Sequence, residues 1–154
     1  VKKLFILFLL VSADLLVKSF VYENIQLNSF INILPFLEIT HIHNYGISFG
    51  LLSGLISKEI IIIISLIITS IIFYLYIKSF DKIEKWGLLI IIAGAISNIV
   101  DRALNDYVLD FIHLQYNNYY WPAFNFADIY ITIGVLLILY KVVIDLKKIR
   151  YDKN

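Results

Sequence analysis

The 154-residue chain contains no cysteine, and this absence excludes disulfides, thiolate chemistry and cysteine-ligated zinc. Only 16% of its residues are charged and 60% are hydrophobic, whereas a soluble domain has about half apolar and about a quarter charged residues. The formal net charge is only +1, so nothing indicates a nucleic-acid partner. An HExxH zinc motif and a phosphate-binding P-loop are also missing. The length fits one domain, most of which must face lipid.

Four apolar segments lie at about residues 4–21, 60–77, 86–104 and 125–144. Each is near the roughly 20 residues that cross a bilayer as a helix. Because a backbone in lipid must satisfy its own hydrogen bonds, we predict four transmembrane helices. The first segment follows two lysines, as in a cleavable signal peptide, but no small-residue cleavage site follows it, so we interpret it as a span. Residues 1–154 are then a single integral membrane domain.

Basic residues are distributed unevenly between the ends of these segments. Ten of the thirteen fall on one side: Lys2, Lys3, Lys78, Lys82, Lys85, Lys141, Lys147, Lys148, Arg150 and Lys153. Because cytoplasmic loops are enriched in lysine and arginine, we expect both termini in the cytoplasm and the first and third connections outside. Polar residues from separate stretches then gather near the outer leaflet: Asp14, Lys18, Asn44, Asn98, Asp101, Arg102, Asp110, Asn125 and Asp128.

The first connection, residues 22–59, is too long for a simple link between helices. Alternation from Phe36 to His43, with Pro35 before it and Gly46 and Gly50 after it, predicts a small outer sheet or cap. We expect residues 51–57 to form a short interfacial helix. Apolar cap residues are expected to rest on the membrane surface: Ile39, Ile42, Tyr45 and Phe49.

Asp110 and Asp128 lie on either side of a polar stretch of the third connection, near the membrane surface. A charged carboxylate close to hydrocarbon is energetically unfavourable and seldom occurs there without a function. Two carboxylates in close approach titrate as a coupled pair, and one keeps a proton. One can then deprotonate a water while the other protonates a carbonyl oxygen or a leaving amine. The connection is long enough to fold back and bring the two together. This pattern indicates peptide hydrolysis without a metal or a covalent intermediate.

Structural explanations stay open for both carboxylates. Asn125 is a candidate N-cap, and Asp128, three residues later, would equally well stabilise the start of its helix through the helix dipole. Asp110 lies in the apolar run VLDFI, where a capping explanation is poorer and function is favoured.

The other polar residues have competing explanations too. Asp14 and Lys18 are four residues apart on a helix, so mutual neutralisation is about as good an explanation as a direct role. A structural role is favoured for Asp101 and Arg102. For His41 and His43, which share one face of any strand, a surface role is favoured over a metal site because no further ligand is suitably spaced.

Three other classes of membrane protein would show different sequence patterns. A transporter that relays protons would distribute polar groups across the bilayer, whereas here they gather at one side. An assembly subunit would need no coupled carboxylates. A GxGD-type intramembrane protease would carry that motif and more spans, and no GxGD occurs.

Five motifs occur in order along the chain: DLLVK (Asp14–Lys18), NYGISFG (Asn44–Gly50), AGAISNIVDR (Ala93–Arg102), VLDFI (Val108–Ile112) and FNFADIYITIG (Phe124–Gly134). Together with the four spans, they resemble the bacterial lipoprotein signal peptidases, the type II signal peptidase family. The family patterns are D-x-x-x-K, N-x-G-x-x-F-G, G-G-x-x-G-N-x-x-D-R, V-x-D-F-I and F-N-x-A-D-x-x-I-x-x-G. Ala93 and Ser97 stand where the family has glycine, but both are small, so close helix packing is preserved.

The resemblance implies that Asp110 and Asp128 form a catalytic aspartyl dyad. It implies that a further set lines or supports the site: Asn44, Gly46, Asn98, Arg102, Asn125, Asp14, Lys18 and Asp101. The implied fold class is an all-α membrane protein, with four transmembrane helices, a small extracytoplasmic β-cradle and a short interfacial helix.

The implied substrate is a prolipoprotein with a diacylglyceryl group on its lipobox cysteine, cleaved just before that cysteine. The implied enzyme is an aspartic endopeptidase that needs no metal or cofactor. We expect a monomer in contact with membrane lipid, in the bacterial cytoplasmic (inner) membrane, with its active site on the extracytoplasmic side.

Overall fold

The computed structural model describes residues 1–47, 54–117 and 119–151. Within these ranges the chain forms four helices and four strands: α1 (Lys2–Asn24), β1 (Phe30–Leu34), β2 (Leu37–Asn44), α2 (Lys58–Lys78), α3 (Lys82–Asn105), β3 (Val108–Tyr116), β4 (Tyr119–Phe124) and α4 (Phe126–Tyr151). All four helices are long and apolar enough to cross a membrane. The predicted fold of four such helices with a small sheet is therefore confirmed.

Part of the predicted cap lies outside the described residues. This applies to Phe49, to Gly50 and to positions 51–53 of the interfacial helix predicted at 51–57. The described end of that stretch, from Gly54, is a turn that leads into α2.

α3 is the central helix, because it packs against α1, α2 and α4. Its N terminus is capped by Asp81, whose carboxylate accepts the backbone N–H groups of Ile83 and Glu84 at 2.8 and 3.0 Å. Its C terminus is set by Asp106, which adopts the left-handed conformation (φ 70°) and donates its N–H to the Arg102 carbonyl. The chain therefore turns back at once, and β3 starts beside the end of α3.

Small residues allow α3 and α4 to pack closely. A Cβ atom on Gly94 would lie 2.4 Å from the Ala127 carbonyl oxygen. A Cβ atom on Gly134 would lie 2.5 Å from the Gly87 carbonyl oxygen. Such distances are too short for any side chain, so glycine at these positions is what brings the two backbones together.

The sheet has the order β1-β2-β3-β4, and each neighbouring pair is antiparallel. The sequence predicts the outer sheet within residues 22–59, which contain β1 and β2. That prediction was incomplete, because β3 and β4 come from the third connection. The first six residues of β3 are almost all buried on both faces, so they show no alternation of apolar and polar residues.

The two faces of the β2–β3 pair have different neighbours. In register, Ile42 pairs with Asp110 and His43 pairs with Leu109, and successive side chains of a strand point to opposite faces. Leu109 belongs to an apolar cluster under the sheet with Val21, Tyr107 and Phe111. Asp110 and Asn44 lie on the other face, where the ends of α3 and α4 meet the sheet.

Candidate active site

Asp110 is the third residue of β3, and its position follows from the connection to α3. The carboxylate of Asp101, in the last turns of α3, accepts the backbone N–H of Leu109 at 2.9 Å and the side-chain amide of Asn105 at 2.9 Å. These bonds hold the start of β3 against α3. As a result, Asp110 is almost fully buried, with 3% of its surface exposed.

Asp128 lies in the first turn of α4, and Asn125 immediately precedes that helix. Oδ1 of Asn125 accepts the backbone N–H of Asp128 at 3.0 Å, and Oδ2 of Asp128 accepts the backbone N–H of Asn125 at 3.2 Å. This reciprocal pair is a capping box. The structural interpretation of Asp128, as a residue that stabilises the helix start, is therefore confirmed, and it leaves Oδ1 of the carboxylate free for another partner.

Each of the four oxygens of the two carboxylates accepts one hydrogen bond. Asp110 accepts the side-chain amide of Asn44 on Oδ2 at 3.0 Å and that of Asn125 on Oδ1 at 2.6 Å. Asp128 accepts the side-chain amide of Asn98 on Oδ1 at 3.0 Å, in addition to the backbone N–H of Asn125 on Oδ2. Asn125 therefore contacts both carboxylates, which places them side by side.

The orientation of each asparagine amide is determined by a donor that occupies its oxygen. Asn44 accepts the backbone N–H of Gly46 at 3.0 Å, Asn98 accepts the ammonium of Lys18 at 2.9 Å, and Asn125 accepts the N–H of Asp128. With its oxygen occupied in this way, each side chain turns its NH₂ group towards a carboxylate. The three asparagines are thus preorganised as donors to Asp110 and Asp128.

Burial, and then the negative charge of Asp128, raises the pKa of Asp110 from 3.8 to about 7. The hydrogen bonds from Asn44 and Asn125 act in the opposite direction, because they stabilise the ionised form. Burial and the charge of Asp128 outweigh those hydrogen bonds. Near neutral pH, Asp110 therefore retains a proton in a large fraction of molecules while lying beside a second carboxylate.

Lys18 connects α1 to this site. Its ammonium lies 2.8 Å from Asp14 and 3.2 Å from Asp101, in addition to its bond to Asn98. Lys18 and the two aspartates are each at most 3% exposed. Three acceptors therefore surround the ammonium, and of the two explanations offered for Asp14 and Lys18 the mutual neutralisation is confirmed.

Asp14 also ties α1 to the helices that carry the site. It accepts the hydroxyl of Ser97 at 2.6 Å and the backbone N–H of Ala127 at 3.0 Å. The sequence identifies Ser97 only as a small residue in place of glycine and does not predict this bond. No local pattern could have predicted it, because the two residues are far apart along the chain.

Arg102 holds the segment after β2. It donates Nη2–H to the carbonyl of Asn44 at 3.1 Å and to the carbonyl of Gly46. Its buried Nε–H has no hydrogen-bond partner among the described residues. Arg102 is thus bound to the site through Nη2, and its Nε–H is without a partner in the described part of the chain.

A cavity of about 490 Å³ adjoins these groups, between α2, α3 and α4. Its polar lining includes Asn44, Asn98, Arg102 and Asp128, and its apolar lining is dominated by isoleucines: Ile47, Ile68, Ile72, Ile91, Ile99 and Ile131. Among the described residues, no group of three or more histidine, aspartate or glutamate side chains is arranged to hold a metal ion.

A family model described as signal peptidase (SPase) II matches residues 6–144. The chain belongs to the signal peptidase II family. It is 38% identical to the lipoprotein signal peptidase of Thermodesulfovibrio yellowstonii over 136 residues, which cover 88% of this chain and 90% of that protein. It is 40% identical to the lipoprotein signal peptidase of Wigglesworthia glossinidia brevipalpis over 130 residues, which cover 82% and 84%.

Two solved structures of bacterial membrane enzymes have the same fold. One has a TM-score of 0.87 and 31% identity, over 96% of this chain and 90% of that one. The other has a TM-score of 0.81 and 31% identity, over 92% of both chains. As a signal peptidase II, the protein is a multi-pass membrane protease of the class that removes signal peptides from prolipoproteins.

All ten residues assigned by resemblance to the signal peptidase II site lie in one connected network: Asp110, Asp128, Asn44, Gly46, Asn98, Arg102, Asn125, Asp14, Lys18 and Asp101. Their individual catalytic and binding roles stay predictions. The surface role predicted for His41 is wrong, because this side chain is 4% exposed and bonds to the Ile25 carbonyl.

Proposed function

We propose that this protein is an aspartic endopeptidase that cleaves diacylglyceryl-modified prolipoproteins just before the lipid-modified cysteine, using water held between Asp110 and Asp128. The observation that carries this proposal is the arrangement of the two buried carboxylates, which Asn125 bridges and which accept one hydrogen bond on each oxygen. Such preorganisation keeps two acidic groups in fixed geometry while one of them holds a proton.

The proposed roles follow from the proton on Asp110. Asp128 takes a proton from the water, and the water oxygen attacks the scissile carbonyl carbon while Asp110 gives its proton to the carbonyl oxygen. In the second step Asp128 passes its proton to the leaving nitrogen as the C–N bond breaks, and Asp110 recovers its proton as the carboxylic acid product forms. The two steps consume one water and restore both aspartates.

The cavity is suited to a substrate that is polar at the cleavage point and apolar elsewhere. Its isoleucine lining, all but Ile47 on helices α2, α3 and α4, would hold apolar parts of the precursor. The Nε–H of Arg102, which has no partner among the described residues, would donate to a main-chain carbonyl of the cleavage segment. We propose that lipid in the bilayer is the other partner of this surface and that one copy of the chain suffices.

The test presents a precursor with a diacylglyceryl cysteine to the purified protein in detergent, beside the same precursor without the lipid. We expect cleavage before the cysteine only in the lipid-modified precursor, and a loss of at least about 1000-fold in Asp110→Asn and Asp128→Asn. Asp145→Asn is the matched control, because Asp145 pairs with Lys141 near the other end of α4. Full activity of either dyad variant, with an unchanged melting temperature, would remove the dyad assignment.

We also propose that the site faces the extracytoplasmic side of the cytoplasmic membrane, as the distribution of basic residues favours. The absence of native cysteine allows single cysteines to report accessibility. In intact cells, a membrane-impermeant maleimide should label Asn24→Cys, at the end of α1, and should not label Lys148→Cys. The reverse labelling pattern would show that the site faces the cytoplasm, and it would contradict this proposal.

A further inference from the structure

A chain of hydrogen bonds runs through three side chains on β2 and just beyond it. Nδ1 of His41 lies 2.7 Å from the Ile25 carbonyl oxygen, and Nε2 of His41 lies 2.9 Å from Nε2 of His43. Nδ1 of His43 lies 3.4 Å from the hydroxyl of Tyr45. Nothing in the proposed catalytic cycle uses these groups.

The carbonyl of Ile25 can only accept, so His41 donates its Nδ1–H to it. In the neutral pair, Nε2 of His41 is then an acceptor, His43 donates Nε2–H, and Nδ1 of His43 accepts from Tyr45. One added proton can be accommodated on Nδ1 of His43, because that N–H can then donate to the hydroxyl oxygen of Tyr45. A second added proton would leave two N–H groups facing each other at 2.9 Å, and the contact between the rings must then break.

Aromatic rings surround the pair. His43 stacks on Tyr107 with ring centroids 3.4 Å apart and planes 13° apart, and Tyr22 of α1 meets His41 edge-on at 5.8 Å. Asp101 of α3 is the acidic group that acts on His43. Burial and then the charge of His41 lower the pKa of His43, and they outweigh the raising effect of Asp101. The surroundings therefore favour the uncharged ring.

The backbone of β2 connects this pair to the dyad. His43 is followed directly by Asn44, whose side chain lies on the opposite face of the sheet and donates to Asp110 at 3.0 Å. The carbonyl of Asn44 accepts from Arg102 at 3.1 Å. A shift of His43 away from Tyr107 therefore moves the residue that supplies one of the two donors to Asp110.

We propose that His43 is a positioning residue for Asp110: hydrogen-bonded to His41 and stacked on Tyr107, it holds β2 so that Asn44 donates to Asp110, and double protonation of the histidine pair withdraws that donor in acid. This inference rests on the proposed function of Asp110. It adds an acid-sensitive pair, His41 and His43, to the extracytoplasmic part of the enzyme. Both histidines lie outside the five sequence motifs, and only Asn44 and Tyr45, which follow them, belong to one.

The first test compares the pH dependence of kcat/KM in the wild type, His43→Phe and His43→Gln. Phenylalanine keeps a ring against Tyr107 but removes the titrating group, and glutamine keeps a side-chain N–H for His41 without titrating near neutral pH. Below the ordinary histidine value of about pH 6.5, we expect log kcat/KM to fall more steeply with decreasing pH in the wild type than in either variant, because only the wild type can take up the second proton on the pair. At pH 7.5, glutamine should retain more activity than phenylalanine.

Equal slopes in the wild type and both variants would overturn the proposal, even if the variants were less active, because a merely structural role lowers the rate at every pH. A second measurement does not need activity. In the inactive Asp128→Asn background, the melting temperature should fall between pH 7 and pH 5 relative to that of the same background with His43→Phe, a difference in which the proton on Asp110, common to both proteins, cancels. If dyad variants kept full activity while this difference persisted, the proposed function would fail and the proton linkage of the pair would stand.

Discussion

The side-chain amide nitrogen of Asn125 lies 2.6 Å from Oδ1 of Asp110, although the two residues belong to different elements and Asn125 is also the cap of α4. Its oxygen is committed to the helix and its nitrogen to the strand. Consequently, the capping and catalytic interpretations of this region are not alternatives. One fully buried side chain caps the helix and donates to Asp110, and the helix start is what places Asp128 beside Asp110.

The two roles of Asn125 can be separated by substitution. Asn125→Ser retains an oxygen that can cap α4 but loses the amide donor to Asp110, whereas Asn125→Ala loses both. Because Asp110 becomes negatively charged when it gives up its proton in the proposed step, and a hydrogen bond to a charged group contributes about 1.5–3 kcal/mol, we expect both variants to lose roughly 10- to 100-fold in kcat. Only the alanine variant should lose the further stability of about 1 kcal/mol that a cap supplies.

Initial rates with a lipid-modified precursor and melting temperatures in detergent measure the two effects. Equal activity of Asn125→Ser and the wild type would show that the contact with Asp110 has no catalytic consequence. Equal melting temperatures of the serine and alanine variants would show that the cap contributes no stability.

Substitutions at Lys18 can separate its contribution to protein stability from its role in orienting the side-chain amide of Asn98. Lys18→Met leaves the buried carboxylates of Asp14 and Asp101 without their counter-charge, and breaking a buried pair in this way costs about 3–5 kcal/mol. Adding Asp14→Asn removes one of those charges, so the double variant should recover a large part of the lost stability. Activity should not recover, because Asn98 still lacks the ammonium that fixes its amide.

Thermal unfolding and initial rates of the two single variants and the double variant form a double-mutant cycle for this test. A double variant with wild-type activity would contradict the role of Lys18 in orienting Asn98. A double variant no more stable than Lys18→Met would contradict the assigned burial cost of Asp14.

Apolar segment length was sufficient to predict the four helices, because lipid leaves the backbone no other solution. The strands were harder to predict from the sequence. β3 contains VLDFI, which is buried on both faces and looks like any short apolar run, and β4 carries Pro122 and three successive aromatic residues that suggest a membrane belt. Their pairing with β2 is a long-range contact that no local pattern encodes.

The residues of the site could be predicted from the motifs, but the hydrogen bonds that join them could not. The sequence indicates that Lys18 and Asn98 share a depth in the membrane; it does not indicate that the ammonium of one fixes the amide of the other. The same is true of Ser97 and Asp14, which meet only because α1 packs against α3. Hydrogen-bond direction depends on side-chain geometry, which emerges after the helices have packed.

The raised pKa of Asp110 predicts a pH dependence of stability with a definite sign. Between about pH 4 and pH 7, the folded protein holds a proton on Asp110 that the unfolded chain has released, because the pKa is about 7 in the folded state against 3.8 for an ordinary aspartate. The free energy of unfolding therefore falls as pH rises through this window, and the effect of Asp110 is absent below about pH 4. Asp110→Asn cannot titrate and should escape this loss.

The variant and the wild type should therefore be compared by their difference in melting temperature at pH 4, 6 and 8. The asparagine side chain places an NH₂ group near the donors Asn44 and Asn125, so the variant starts with a penalty that does not depend on pH. As pH rises, the difference should shift steadily in favour of Asp110→Asn, and Asp145→Asn should show no such shift. A constant difference from pH 4 to pH 8 would mean that Asp110 ionises as an ordinary aspartate, and it could not then serve as the proton donor at neutral pH.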